Sequence, residues 1–182
     1  MLHFLKGNLL DSTADALVNT VNTVGVMGKG IALQFKEAFP VNNKKYIDAC
    51  KNGELQTGKL LMVKDQNALL GEKLIINFPT KKHWRNPSKY EYIEEGLKAL
   101  AELISKENIK SIAVPPLGCG NGGLDWSRVK ELIVQYLSLL EADIFVYEPN
   151  AAIKAMLRQG NSKKGKLLPS FFPDESPERG SS

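Results

Sequence analysis

The stretch Gly25-Val26-Met27-Gly28-Lys29-Gly30-Ile31-Ala32 constrains this chain more than any other. It follows Ala16-Leu17-Val18-Asn19-Thr20-Val21-Asn22, a nearly continuous apolar and β-branched run that reads as an interior strand, and it leads into Ile31, Phe35 and Phe39, spaced as on a helix. Glycines therefore stand where a strand turns into a helix. A helix start leaves backbone N–H groups without partners and carries the positive end of the macrodipole, and glycine admits positive φ and a close approach of backbone to ligand. The stretch reads as a loop that cradles a diphosphate. It is not a Walker A loop, because Lys29 is followed by Gly30 rather than by Ser or Thr. A tight strand-to-helix turn without a ligand fits this loop alone equally well.

The remaining chain alternates strands and helices. Residues 2–6 read as a first strand, turned by Gly7-Asn8-Leu9-Leu10-Asp11; helix 30–39 stops at Pro40, which opens a second helix through Tyr46 and Cys50, ended by Asn52-Gly53. Lys59–Val63 and Lys73–Phe78 are two strands joined through Gly71 as a hairpin or neighbouring pair. The polar, proline-bounded stretch 79–88 reads as a loop, and Ser88 as the cap of a helix with Ile93, Leu97, Leu100, Ala101 and Ile104 on one face. Ser111–Pro115 is a strand, 116–124 a second glycine loop, and the next helix shows Val129, Leu132, Ile133, Tyr136, Leu137 and Leu140 on its apolar face. Asp143–Tyr147 is the last strand. The order predicts a three-layer α/β/α fold with a mixed central sheet. Residues 1–150 form one domain, and 151–182 read as an extension, a short helix over 151–158 and then a linker or tail rich in Gly, Ser, Pro and charge.

Composition narrows the function classes. A chain of 182 residues with 43% hydrophobic content can bury one full core, and a second complete domain does not fit. No apolar run reaches a membrane span and no leader precedes the first strand, so a cytoplasmic monomer without membrane contact is expected. The formal charge of +4 is concentrated in the tail: residues 1–150 hold 18 Lys+Arg against 17 Asp+Glu, whereas 151–182 hold 6 against 3, so charge alone argues weakly for a nucleic-acid face. Cys50 and Cys119 lie in no CxxC arrangement, and with only His3 and His83 besides, no metal site is expected. Cys50 reads as a small apolar helix residue; Cys119, inside a glycine loop, is expected to be more exposed, with no histidine placed to activate it.

Loops 25–30, 79–88 and 116–124 all follow strands, and in an open α/β sheet ligands bind beyond the carboxyl ends of the strands, so the three should converge on one cleft. Gly118, Gly120 and Gly123 also spell G-x-G-x-x-G, with Asp143 20 residues on. A Rossmann site needs its acid at the end of the following strand, however, and Asp143 begins one.

The runs Ala16–Asn22, Gly25–Ala32 and Val114-Pro115-Pro116-Leu117-Gly118-Cys119-Gly120 resemble the macrodomain family of ADP-ribose-binding modules, over about residues 1–150. Within it, Asn19–Lys36 together with Asn77-Phe78-Pro79-Thr80-Lys81-Lys82-His83-Trp84-Arg85 is similar to the DNA ADP-ribosyl glycohydrolase antitoxins that are paired with a DarT-type toxin. The resemblance implies that Asn8, Leu9 and Tyr147 bracket adenine, that Gly25, Val26, Met27, Gly28, Lys29 and Gly30 grip the diphosphate from one side, and that Asn22 meets the distal ribose. Leu117, Gly118, Cys119, Gly120, Asn121, Gly122, Gly123 and Leu124 would grip it from the other side, with Asn19 and Thr80 completing the ligand set. Two departures stand out: many macrodomains carry Asp at the place of Asn8, and a related human terminal ADP-ribose glycohydrolase carries an aspartate near the place of Gly122.

The implied activity is metal-independent hydrolysis that removes ADP-ribose from thymidine bases in single-stranded DNA, with no cofactor. A non-catalytic ADP-ribose-binding module and a hydrolase of ADP-ribosylated protein carboxylates are the alternatives. Lys81 is the candidate catalyst, as nucleophile, proton donor or electrostatic group, against the ordinary fate of a solvated loop lysine. Lys82 is its adjacent competitor; Lys82, His83, Trp84 and Arg85 are candidates to hold the nucleotide strand, Trp84 reading equally as a core residue. The antitoxins carry a further C-terminal domain that contacts the toxin, and 182 residues are too few to include it.

Overall fold

The computed structural model describes residues 1–150, and the helix and tail expected over 151–182 lie outside the described residues. The chain runs β1 (Leu2–Leu5), β2 (Ala16–Asn22), α1 (Gly30–Ala38), α2 (Pro40–Lys51), β3 (Leu61–Asn67), β4 (Gly71–Lys81), α3 (Tyr90–Lys106), β5 (Ser111–Val114), α4 (Trp126–Leu137) and β6 (Asp143–Tyr147). The six strands form one sheet in the order β1-β6-β5-β2-β4-β3, parallel throughout except for β3, which lies antiparallel on β4. The expected three-layer mixed architecture is therefore the observed one.

Side chains alternate between the two faces, as a strand requires. Ala16, Val18, Ile76, Phe78, Ile112 and Val114 pack beneath α3 and α4 with Ile93, Leu97, Val129 and Ile133. Leu17, Ile75 and Ala113 face the other way, against Phe35 and Phe39. Continuous apolar strands thus feed two cores, which is why they carry no alternating pattern.

Several boundaries differ from expectation. The hairpin strands run longer than the apolar runs, to Asn67 and from Gly71, because the pairs Asp65–Lys73, Gln66–Glu72 and Asn67–Gly71 continue the ladder, with the Lys64–Glu72 ion pair crossing it diagonally. Pro79-Thr80-Lys81 belongs to β4 rather than to a loop. The β3 ladder stops at the Leu61–Asn77 pair, so beyond it β4 has no neighbour on that side and the missing proline N–H costs no ladder bond. Lys89, not Ser88, is the N-cap of α3, and Leu140 lies past the end of α4 while still packing on the core. Among the described residues, no helix is long and apolar enough to cross a membrane.

Candidate active site

Because β1, β6, β5, β2 and β4 are mutually parallel, their carboxyl ends share one edge of the sheet. The turn after β1, both glycine loops, Lys81 and Tyr147 all stand on that edge, so the expected convergence is present. Asp143, at the start of β6, lies at the opposite edge with His3 on its carboxylate at 3.2 Å, which removes the Rossmann reading.

Asn22 builds the first loop. Its Oδ1 accepts from the N–H groups of Val24 at 3.1 Å and Val26 at 3.3 Å, and its Nδ2 donates to the Val26 carbonyl at 2.8 Å. Beneath it, the buried Tyr46 hydroxyl lies 2.7 Å from the Asn22 carbonyl and 2.9 Å from its Oδ1. Burial pushes the Tyr46 phenol far above its ordinary range, so it stays a donor at any physiological pH. The side chain expected at the distal ribose is thus already engaged in holding the loop that precedes the ligand.

Met27 plugs the core with Val21, Tyr46, Ala49 and Leu55, so it can meet a ligand only through its backbone. Asn19, fully buried below it, approaches Met27 Sδ at 3.9 Å and Asn77 Oδ1 at 3.4 Å, and Asn77 exchanges amide bonds with Asn42 of α2 at 2.7 and 3.1 Å. Gly25 and Gly30 take φ of +85° and +60°, conformations that L side chains rarely adopt. The N-cap of α1 is Lys29, whose side chain makes no capping bond, and the first turn holds no acid. The start of α1 therefore keeps its donors for an anion.

The second loop is built differently. Gly118, Gly120 and Gly123 all have positive φ near +75°, and a 3-10 turn over Gly120–Gly122 closes through Gly123 N–H to the Gly120 carbonyl at 3.1 Å. The helix that follows is already capped, since Asp125 accepts from the Ser127 N–H at 2.9 Å. Any anion held here meets loop amides rather than the start of α4. Leu117 is wholly buried and Leu124 packs on the core, while Cys119, like Cys50, is part-buried. Cys50 lies directly under the first loop, its Cβ 3.6 Å from where a Cβ on Gly25 would stand.

Lys81 joins the two loops. At the end of β4 the ladder to β2 slips: Val21 pairs with Pro79 and Asn22 with Lys81, leaving Thr80, buried at 6%, as an extra residue. The Lys81 amine donates to the Asn121 carbonyl at 3.0 Å and reaches the Trp84 carbonyl at 3.5 Å. Partial desolvation and the Lys29 ammonium on the first loop hold its pKa below the ordinary lysine value. Trp84 is 44% exposed, so the core reading of that residue is replaced by a surface one. Arg85 stacks on its indole and His83 lies alongside, all next to Lys81, whereas Lys82 points toward α3.

At the far end of the edge, Asn8 accepts from Leu10 N–H at 3.1 Å and shapes the turn after β1. Leu9 and Tyr147 are buried together in the core, with Gly7 against the Tyr147 ring. A separate cavity of about 290 Å³ among Asp15, Lys64, Glu72, Lys73 and Leu74 lies by the starts of β2 and β4, at the opposite edge from the loops. Among the described residues, no group of three or more His, Cys, Asp or Glu could hold a metal ion.

Sequence reasoning missed four contributors: Tyr46, which supports Asn22; Thr23, whose hydroxyl donates to the Lys82 carbonyl at 2.7 Å; Ser88, wedged against the second loop; and the Asn19–Asn77–Asn42 network. Only the asparagines left a signal, as polar residues inside strands that otherwise read as buried.

The Macro domain family matches residues 18–133 of this chain. The chain belongs to the macrodomain family. Among its relatives, the DNA ADP-ribosyl glycohydrolase of Thermus aquaticus is 52% identical over 170 residues, 93% of this chain and 47% of that protein. The Mycobacterium tuberculosis protein of the same name is 52% identical over 157 residues, 86% of this chain and 44% of its own length. The chain thus spans about half the length of the curated relatives it matches. The macrodomain of T. aquaticus DarG superposes with a TM-score of 0.76 at 54% identity, covering 82% of this chain and 99% of that one. Thermosipho africanus DarTG in complex with ADP-ribose gives 0.76 at 41% identity, covering 84% of this chain and 44% of that one.

Proposed function

We propose that this macrodomain removes ADP-ribose from thymidine bases in single-stranded DNA, reversing the action of a DarT-type toxin, by a hydrolysis that needs no metal. The observation that carries the reading is the Lys81 amine, held on the carbonyl of the second glycine loop and lowered in pKa beside Lys29 of the first. An ADP-ribose whose diphosphate spans both loops brings its distal end to that amine. The names of the relatives at 52% identity supply the substrate class.

The ligand set is the one the sequence gives to the shared edge. Loop residues Gly25–Gly30 face Leu117–Leu124 across the diphosphate, and backbone donors there carry most of the affinity, the N–H groups of Val26, Cys119, Gly123 and Leu124 standing outside that donor set because they already bond within their own loops. The turn at Asn8 and Leu9 with Tyr147 holds adenine, and Asn22 and Thr80 stand nearest the distal ribose, with Asn19 beneath. Two roles are open to Lys81: a neutral amine that attacks the anomeric carbon and is later displaced by water, or an ammonium that stabilises the departing base. The His83-Trp84-Arg85 stack and Lys82 receive the strand on the leaving side.

Turnover of an ADP-ribosylated oligonucleotide by wild type, Lys81→Ala and Lys81→Arg tests the proposal, with ADP-ribose affinity measured alongside. Lys81→Ala should abolish cleavage and leave affinity within a few-fold. Lys81→Arg separates the two roles, because a guanidinium keeps the charge but is no nucleophile. Full activity in Lys81→Ala, or loss of wild-type turnover in a chelator, overturns the mechanism. Wild-type binding without any cleavage leaves a reader of ADP-ribosylated targets, and cleavage confined to modified protein carboxylates moves the substrate class.

A further inference from the structure

The basic and aromatic surface that begins at Lys81 does not end at Arg85. Lys82 swings its ammonium to 5.5 Å from the centroid of the Tyr92 ring, in the first turn of α3. Lys89, the N-cap of that helix, brings a second ammonium to 5.9 Å from the same ring. Both lysines are exposed, and among the described residues neither lysine, nor Arg85, stands in an ion pair. Their charge is therefore available to an anion. Glu91, exposed one residue before Tyr92, is an acid that repels a phosphate.

The segment is also preformed. Thr23 ties the Lys82 carbonyl to the first loop, the Arg85 N–H donates to His83 Nδ1 at 3.1 Å, and the Asn86 N–H closes a turn on the His83 carbonyl at 3.0 Å. The Trp84 carbonyl at 3.5 Å from the Lys81 amine fixes where the surface starts. A scissile bond placed at that amine joins ADP-ribose to a base, so the rest of the nucleic acid must leave the cleft past Trp84. Alternating cations and aromatic rings suit a single strand, whose phosphates need charge and whose bases stack on any ring without regard to sequence.

Building on the reading of the substrate as modified single-stranded DNA, we propose that the strand leaves over the His83-Trp84-Arg85 stack and crosses the start of α3, with Tyr92, Lys82 and Lys89 holding a nucleotide that flanks the modified one. Tyr92 and Lys89 are thereby specificity determinants for a strand over an isolated nucleoside.

The experiment compares ADP-ribosylated thymidine with the same residue inside a single-stranded oligonucleotide, in wild type, Lys89→Gln, Tyr92→Ala and Tyr92→Phe. Binding of the unmodified oligonucleotide is followed against salt in the same set. Tyr92→Ala should lower the ratio of kcat/KM for oligonucleotide over nucleoside about tenfold, and Tyr92→Phe, which keeps the ring, should restore it. Lys89→Gln should reduce the slope of log affinity against log salt by about 0.7, one phosphate contact on a single strand. Wild-type slope and wild-type ratio in Lys89→Gln and Tyr92→Ala overturn the path while leaving the hydrolase reading intact. Wild type that cleaves neither substrate overturns that reading instead, and the salt slopes still decide the path.

Discussion

The Ser88 side chain occupies the space that any side chain on Gly122 would need: a Cβ there would lie 2.4 Å from Ser88 Oγ and 3.0 Å from its Cβ. Ser88 also donates its N–H to the Gly122 carbonyl at 3.0 Å and stands 3.2 Å from the Cβ position of Gly118. One buried residue thus presses on the second loop from below, and no acid can stand at 122 while Ser88 keeps this place.

Gly122→Ala should therefore displace the 3-10 turn, weaken ADP-ribose binding and lower the melting temperature. Ser88→Gly should rescue it: in a double-mutant cycle the coupling is expected at about 1 kcal/mol or more, in the range found for residues in contact. Additive losses in calorimetry and thermal unfolding would count against the wedge.

Gly96→Ala sets two effects against each other. Alanine is favoured over glycine in a helix by up to about 1 kcal/mol, but the new Cβ would stand 2.2 Å from Phe78 Cζ, in a core where overpacking costs about 1–3 kcal/mol. Phe78 is fully buried and cannot step aside, so packing wins. Urea unfolding should show a net loss of about 1–2 kcal/mol, and Phe78→Leu in the same chain should recover part of it.

Tyr46→Phe removes the only donation described between α2 and the Asn22 carbonyl and side chain other than the weak Cys50 thiol contact at 4.0 Å. Leaving a buried acceptor short costs about 1–3 kcal/mol, and the loop that Asn22 shapes loses its anchor. Both the melting temperature and ADP-ribose affinity should fall. Unchanged affinity with a lowered melting temperature would mean that Tyr46 serves the fold alone.

Lys29→Gln addresses the electrostatics of Lys81. Removing the neighbouring ammonium should move the Lys81 midpoint to higher pH, read from the pH dependence of its acylation by mass spectrometry. In the folded protein Lys81 gives up its proton below the pH at which the unfolded chain does, so between the two pKa values the unfolded state binds more protons and stability rises with pH. Below the folded pKa the penalty is complete, and above about 10.4, the ordinary lysine value, it is gone. Lys81→Met should accordingly be more stable than wild type at neutral pH, with the difference closing as pH rises. A wild-type midpoint in Lys29→Gln would show that desolvation alone sets the shift.

The succession of strands and helices along the chain, the hairpin and the position of both glycine loops were legible because apolar runs and glycines are local signals. The end of β4 was not, since Pro79 forbids a strand only where a neighbour needs its N–H, and the early stop of β3 is a property of the whole sheet. Ser88 read as a helix cap because Ser before a helix usually is one; its real work lies 34 residues away, against Gly122, a separation no local pattern encodes. Lys81 itself was picked out by resemblance, and what the residues alone could not give was its partner, a backbone carbonyl on another loop.

The single extra residue at Thr80 has a further consequence. Without it, regular pairing would set Thr80 opposite Asn22 and carry Lys81 one place beyond, facing the other way. The Lys81 amine is aimed by parity, by whether the count along β4 is odd or even, so one inserted or deleted residue between Asn77 and Lys81 would turn the amine away from the Asn121 carbonyl and the second loop without touching the lysine itself.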